Sequence, residues 1–314
     1  MTALEELLAD STAGDPVSGL KWTHRSLIKL QGALRRRGFK ACPATIARLM
    51  HERDFSLRTC RKNKAGTRHK DRDRQFRYLV RLRKSYLERG WPVISVDTKK
   101  KELVGDFKNP GRSWRRKDRE VLDHDFPSWA IGRAIPYGIY DLAFDDGLVV
   151  VGTSHETPSF AVAAIRRWWT EVGLWRYPGR RLLIEADAGG ANAATKWEWK
   201  VALQRLADEF DLIITVTHYP TGASKWNPID HRMFSRISAN WAGEPLVSYE
   251  TILGYIGRTR SSKGFHCRAY LDETDYPTGH KVTPGEKAWV RLRPRRVLPR
   301  WNYTIWPHRN SRKC

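Results

Sequence analysis

The chain has 314 residues, enough for one substantial core plus a smaller accessory domain. Hydrophobic residues make up 40% and Trp alone fills 14 positions, which excludes a disordered chain. Lys and Arg number 57 against 34 Asp and Glu, a net charge of +23, so a polyanion such as DNA or RNA is the expected partner; with no apolar run long enough to span a bilayer and no N-terminal signal peptide, a membrane partner is not expected.

Residues 1–20 read as a loose lead-in. Thr23 is placed to cap a helix to about Arg37, with Leu27, Leu30 and Leu34 on one face and Gly38 as its stop. A second short helix follows from about Ala44 to Arg53, and the pair suggests a helix-turn-helix. Residues 58–74 carry eight Lys or Arg against two Asp and no apolar stripe, the pattern of a basic linker. Residues 75–89 turn helical. Strands are predicted at Val93–Thr98, Glu102–Phe107, Ala134–Leu142 and Gly147–Thr153, the last two joined as a hairpin. Thr157-Pro158 opens a helix to about Val172. Strand 181–186, helix 197–210, strand 212–217 and a helix opened by Asn227-Pro228 complete the core. A helix at 248–258 and a possible strand at 265–271 follow. The early hairpin implies antiparallel pairing and the later strand-helix-strand units parallel pairing. The expected fold is α/β: a mixed five-stranded sheet flanked by helices, in the order of ribonuclease-H-like domains. The expected division is 1–57, helix-turn-helix-like; 58–90, basic linker and helix; 91–260, core domain; 261–314, basic extension.

Three aspartates stand out. Asp97 ends the apolar run 93–96, Asp187 ends the run 182–186, and Asp230 lies in the first turn of the helix that Asn227 is placed to cap. If the strands are neighbours, the three carboxylates converge on divalent metal. Magnesium takes hard oxygen ligands, and two such ions serve phosphoryl transfer. Like charges so placed should protonate more readily than usual without metal. Glu185 points to the same strand face as Asp187, so it either borders the site or marks a wet face. The loop 188–192 is made of small residues, which suits either close approach of DNA or plain flexibility. His218, Lys225 and His231 flank the third acid and are candidates to touch phosphates. The cysteines 42, 60, 267 and 314 fit neither zinc nor a disulfide framework and read as reduced thiols.

Several stretches resemble one family of bacterial insertion-sequence transposases, known from its Rhodopirellula members. They are 93–102 (Val-Ile-Ser-Val-Asp-Thr-Lys-Lys-Lys-Glu), 134–141, 165–169, 186–192 (Ala-Asp-Ala-Gly-Gly-Ala-Asn), 224–232 (Ser-Lys-Trp-Asn-Pro-Ile-Asp-His-Arg) and 301–305. The stretch 226–230 is also similar to the third motif of mariner-type transposases. The resemblance runs from about Leu4 to Ile305. It implies a ribonuclease-H-like DDE domain, with Asp97, Asp187 and Asp230 as catalytic residues and ligands of two Mg²⁺ or Mn²⁺ ions. It implies cleavage at transposon ends and joining of the 3′-hydroxyl to target DNA. The third acid in the family is usually Glu; Asp230 is one methylene shorter, which sets the carboxylate back by about 1.5 Å, and mariner-type enzymes carry Asp there. Relatives begin earlier, with further N-terminal DNA-binding sequence, so Met1 is expected to mark either a truncated gene or a mis-called start.

Candidate DNA contacts are Arg35, Arg36, Arg48, Arg61, Lys62, Lys99, Lys225, His231 and Arg232. The expected partner is double-stranded DNA, both transposon ends and target, bound by a homo-oligomer in the bacterial cytoplasm, at the nucleoid. Two other readings stay open: an inactive remnant that only binds DNA, and a structure-specific nuclease or ribonuclease H that cleaves without joining.

Overall fold

The structure is a computed structural model and describes residues 3–9, 12–14, 21–23, 25–57, 69–113, 115–220, 222–223 and 226–308. They fall into two compact units, residues 1–64 and 65–314. Among the described residues no helix is long and apolar enough to cross a membrane.

The first unit comprises α1 (Ala3–Ala9), β1 (Thr12–Gly14), β2 (Lys21–Thr23), α2 (Leu27–Arg36) and α3 (Pro43–His51). The expected lead-in therefore contains a helix and a strand. Leu4, Leu7 and Leu8 recur at helical spacing and bury against Leu30, Leu34 and Ile46. Glu5 and Glu6 of α1 pair with Arg53 and Arg37 at 3.1 and 2.9 Å. Thr23 ends β2 instead of capping α2. The cap is Ser26, whose Oγ accepts from the Lys29 N–H, and Gly38 follows the helix at φ 85°. The basic linker 58–68 lies outside the described residues.

The second unit begins with α4 (Arg72–Glu88) and continues through β3 (Val93–Thr98), β4 (Glu102–Val104), β5 (Gly132–Asp141) and β6 (Asp146–Gly152). Next come α5 (Pro158–Trp168), a π-helical turn Trp169–Gly173, α6 (Leu174–Arg176), β7 (Arg181–Ala186), α7 (Trp197–Phe210) and β8 (Ile213–His218). A second π-turn, Asp230–Phe234, runs into α8 (Ser235–Asn240), followed by α9 (Tyr249–Gly257), β9 (His266–Asp272), α10 (Pro284–Trp289), β10 (Leu292–Pro294) and β11 (Asn302–Ile305).

The five central strands lie in the order β8-β7-β3-β5-β6. β3, β7 and β8 are mutually parallel, and β5 is antiparallel to both β3 and β6. This is the ribonuclease-H-like sheet expected from the order of elements. The sheet is larger than five strands: β9 adds in parallel to β6 at one edge, and β11 then β10 add antiparallel to β8 at the other. The segment expected as a basic extension thus contributes three strands to the sheet. The strand expected at Glu102–Phe107 is shorter and peripheral, pairing with the start of β5. The chain turns away at Gly105 (φ 153°), where a side chain would meet the Phe107 ring.

Alternation along the strands sorts the packing. Ile94, Val96, Leu182, Ile184, Ile214 and Val216 face α5 and α7, whose Phe160, Trp168 and Trp199 are fully buried. Val93 and Leu183 face α4 through Tyr86, while Tyr140, Val149 and Val151 face α8 and α9. Three layers result, with the sheet in the middle.

One close approach positions the second π-turn. A Cβ on Gly138 would collide with Met233 and come within 2.6 Å of Phe234, so the absent side chain is what lets this turn lie against β5. Gly138→Ala is expected to cost about 1–3 kcal/mol through overpacking, seen as a lowered thermal midpoint. An unchanged midpoint would show that the turn shifts freely.

Candidate active site

Asp97 and Asp187 meet because β3 and β7 are parallel and in register as far as Val96 and Ala186. Neighbouring strands lie about 4.8 Å apart. Both aspartates belong to the α4 side, two positions on from Ser95 and Glu185. They open into one cavity of about 250 Å³, whose lining also includes Lys100, Lys101 and Glu156. Asp230 does not line that cavity. It is the first residue of the second π-turn, a local geometry frequent at functional sites, and its charge acts on Asp97.

The electrostatics bear out the expected crowding. Burial is the main reason that the Asp97 carboxyl titrates as high as about 7. The charges of Asp187 and Asp230 add to it, against hydrogen bonds from the Thr98 N–H and the Asn227 amide. Asp187 and Asp230 are also raised, burial leading in both. The nearby lysines are paired elsewhere: Lys99 with Glu102 at 3.2 Å, Lys100 with Glu102 at 3.7 Å and Lys101 with Glu156 at 2.9 Å. Among the described residues no Lys or Arg forms an ion pair with any of the three aspartates. A set of hard carboxylate oxygens that no described Lys or Arg pairs with suits Mg²⁺ or Mn²⁺. The expected convergence is nonetheless partial. Among the described residues no three His, Cys, Asp or Glu side chains close into a ready-made metal cage. Like charges repel, and β3, β7 and the π-turn bring the acids near without clamping them together.

A pH dependence follows. The unfolded chain binds the Asp97 proton with a pKa near 3.8, the folded chain near 7. Folding therefore favours the neutral acid. That contribution is full below about pH 4 and lost as pH rises through about 7. Without divalent metal the thermal midpoint should fall across this window relative to Asp97→Asn. Excess Mg²⁺ should raise the midpoint more above the window than below it. Parallel pH profiles for the two proteins would refute this.

Three supporting residues escaped the sequence reading or were given other roles. Asn227 was expected to cap a helix. Its amide is buried and turns instead to β3: Nδ2 donates to Asp97 Oδ2 at 3.3 Å, and Oδ1 accepts from Ser95 Oγ. A buried amide needs such partners, and this one ties the third motif to the first. His218 is fully buried and touches no solvent, contrary to a phosphate-binding role. Its Nδ1 bonds the Asp187 carbonyl at 3.1 Å and its Nε2 the Tyr303 hydroxyl at 3.2 Å. A carbonyl only accepts, so Nδ1 carries the proton; burial pushes the ring pKa down to about 4 and keeps it neutral. Glu185 lines neither the Asp97–Asp187 cavity nor the solvent-facing surface. It is fully buried and bidentate to Arg83 of α4 at 2.8 and 2.6 Å, with the Tyr219 hydroxyl donating at 2.8 Å. An Arg nine residues past the end of the predicted linker 58–74 gave the sequence no local signal of this pairing. The loop 188–192 is anchored: Tyr137 donates to Asn192 Oδ1 at 2.8 Å, and Ala191 and Asn192 are buried.

The candidate DNA contacts divide. Arg35, Arg36 and Arg48 are exposed on the first unit, Arg48 paired with Glu52 at 2.6 Å. His231 and Arg232 are exposed beside Asp230. Lys99 is only 9% exposed, and its ammonium lies between Glu102 and the Trp241 ring, 4.5 Å from the centroid. Burial lowers its pKa, and its charge serves the interior. Arg61, Lys62 and Lys225 lie outside the described residues.

No curated protein sequence matches the chain. Among solved structures it is similar to the Mos1 transposase paired-end complex with left transposon end, at 13% identity over 80% of this chain and 68% of that one, TM-score 0.46. It is also similar to a pre-cleavage Mos1 transpososome, with the same identity and coverage and a TM-score of 0.43. The model of a family described as the Rhodopirellula transposase DDE domain matches residues 3–307, and the chain belongs to that family.

Proposed function

We propose that this transposase cleaves DNA at the ends of its element and joins the freed 3′-hydroxyl to target DNA, using Asp97, Asp187 and Asp230 as the ligands of two Mg²⁺ or Mn²⁺ ions. The observation that carries this reading is the placement of Asp97 and Asp187 at the ends of adjacent, in-register parallel strands, opening into one cavity where no described Lys or Arg forms an ion pair with either. Bound metal would supply activation of the attacking oxygen and charge stabilisation at the leaving one. The remaining work falls to the chain itself. Asn227 orients Asp97, and the neutral His218 holds the Asp187 backbone. The π-turn that begins with Asp230 is seated against Gly138 of β5 through Met233 and Phe234. Lys100 and Lys101 stand on the cavity lining, where phosphates would approach.

The DNA-binding role extends over the chain. Residues 1–57, with α2 and α3 as a helix-turn-helix-like pair and Arg35, Arg36 and Arg48 exposed, would bind element ends. Residues 58–90 link them to a catalytic region, 91–260, that 261–314 extends. His231 and Arg232 would meet phosphates beside Asp230. The partner is duplex DNA, held by a homo-oligomer at the bacterial nucleoid. The test incubates the full chain with the DNA that flanks its gene, with Mg²⁺ or with chelator. New DNA joints that need metal support the reading. Nicks without joints would favour a nuclease, and binding without cleavage a remnant.

A further inference from the structure

We infer that the outward face of α4 is a second DNA-docking surface, which holds the phosphate backbone of a duplex engaged at Asp97 and Asp187. The inference rests on the proposed function for its choice of duplex DNA as occupant and of Asp97 and Asp187 as the site that the duplex engages.

The face is defined by exposure. Arg74, Arg77, Val80, Arg81 and Lys84 are exposed, while Gln75, Leu79 and Tyr86 are buried against the sheet. The basic positions are spaced by three, four and three residues, so they form one stripe along the helix. Arg77 and Arg81 direct their Nε atoms to backbone carbonyls one turn back, which steers the guanidinium groups along the helix surface. Among the described residues Arg74, Arg77 and Arg81 take part in no ion pair, and Lys84 meets only Glu88, at 3.7 Å. Four cations in a row repel one another, and a polyanion removes that cost. From Arg74 to Lys84 the stripe runs about 15 Å, the axial span of roughly four phosphates on one strand of DNA.

Its location ties it to the acids. α4 packs on the sheet face that carries Val93 and Leu183, and Asp97 and Asp187 follow those residues at even steps on the same side. The helix is fixed there at two buried points. Arg83 binds Glu185, and Gln75 Nε2 donates to Thr217 Oγ1, the His218 carbonyl and Asn302 Oδ1 at 2.8–3.1 Å. Ala186 pairs with His218 across β7 and β8, so the Gln75 end of α4 sits at the strand ends where the acids are. At that end Arg72 lies over the Trp226 ring, 4.4 Å from its centroid, and Phe76 meets the same ring edge-on at 5.8 Å. Trp226 directly precedes Asn227, the residue bonded to Asp97. The stripe therefore starts beside the third motif and leads away from it along the helix. DNA entering the acid site along this side meets it without a change of direction.

The test is a binding measurement on the full chain, in chelator so that no cleavage intervenes. The probe is a labelled duplex of arbitrary sequence, since phosphate contacts carry no sequence information. The triple variant Arg74→Gln, Arg77→Gln, Arg81→Gln is compared with a control of equal charge loss on or beside α5 and α7, across the sheet: Arg166→Gln, Arg180→Gln, Arg205→Gln. Losing three phosphate contacts should flatten the log K against log salt slope by about 2.7 and weaken binding more than tenfold near 0.1 M salt. The control should keep a slope close to that of the parent chain. An unchanged slope in the α4 variant, or equal flattening in both, overturns the inference. Asp97→Asn, assayed separately with Mg²⁺ in place of chelator, reports on cleavage: if the acids prove not to cleave, the slope comparison still decides whether α4 docks DNA.

Discussion

Replacing Asp97 or Asp187 by Asn should abolish metal-dependent cleavage, with a loss of at least about 10³-fold, or about 4 kcal/mol of transition-state stabilisation. Asn keeps the size and one acceptor oxygen but removes the charge, so the fold and the duplex affinity should survive. The argument is electrostatic. Asp97 and Asp187 share one cavity, the charge of Asp230 reaches Asp97, no lysine or arginine among the described residues pairs with them, and burial with the charges of Asp187 and Asp230 raises the Asp97 pKa to about 7. Such an arrangement costs stability unless a cation belongs there. Asp230→Asn should act in the same direction, because Asp230 adds to the field on Asp97. Asn227→Ala, which removes an orienting bond and not a charge, should cost only about 10–100-fold. Cleavage assays and anisotropy with the same duplex separate the effects. If either Asp97→Asn or Asp187→Asn cleaved at a rate near that of the parent chain, that residue would lose its role.

Arg83→Met should be the most destabilising single change on α4, costing about 3–5 kcal/mol. It leaves Glu185, fully buried in the middle of the sheet face, without its cation. Burial alone would lower the Arg83 pKa, yet it is raised, because Glu185 supplies both charge and two hydrogen bonds. For a unit of this size each kcal/mol shifts the thermal midpoint by roughly 2–4 °C, so a fall of about ten degrees is expected. The double variant Arg83→Met, Glu185→Leu should recover most of it, since neither charge then remains. A single variant within two or so degrees of the parent would show that water reaches Glu185.

Much of the core was legible in sequence. α7 spans the very residues 197–210 that its apolar period marked, and Thr157 caps α5 through the Phe160 N–H at 3.2 Å. β3, β7 and β8 were readable because strands buried on both faces are near-continuous apolar runs. In the helix expected after Asn227-Pro228, Ile229, Met233, Ile237 and Trp241 recur every four residues and are all buried, although its first turn is π-helical. Legibility failed where partners are distant. Glu185 finds Arg83 across 102 positions, and Asn227 leaves its local cap for Asp97 across 130. Lys99 looked like a surface cation in a run of lysines and turned out to be enclosed by Glu102 and Trp241.

The sequence by itself determined the kinds of core element and the sign of the charge and singled out three aspartates, because each rests on local period, composition or a short motif. Only the tertiary structure decided how those acids are held. The register of β3 with β7 sets Asp97 beside Asp187. The missing side chain at Gly138 lets the π-turn that begins with Asp230 lie against the sheet, and the Arg83–Glu185 pair fixes α4 on the acid face. These are contacts between residues far apart in the chain, and their energies arise only once water has been excluded from between them.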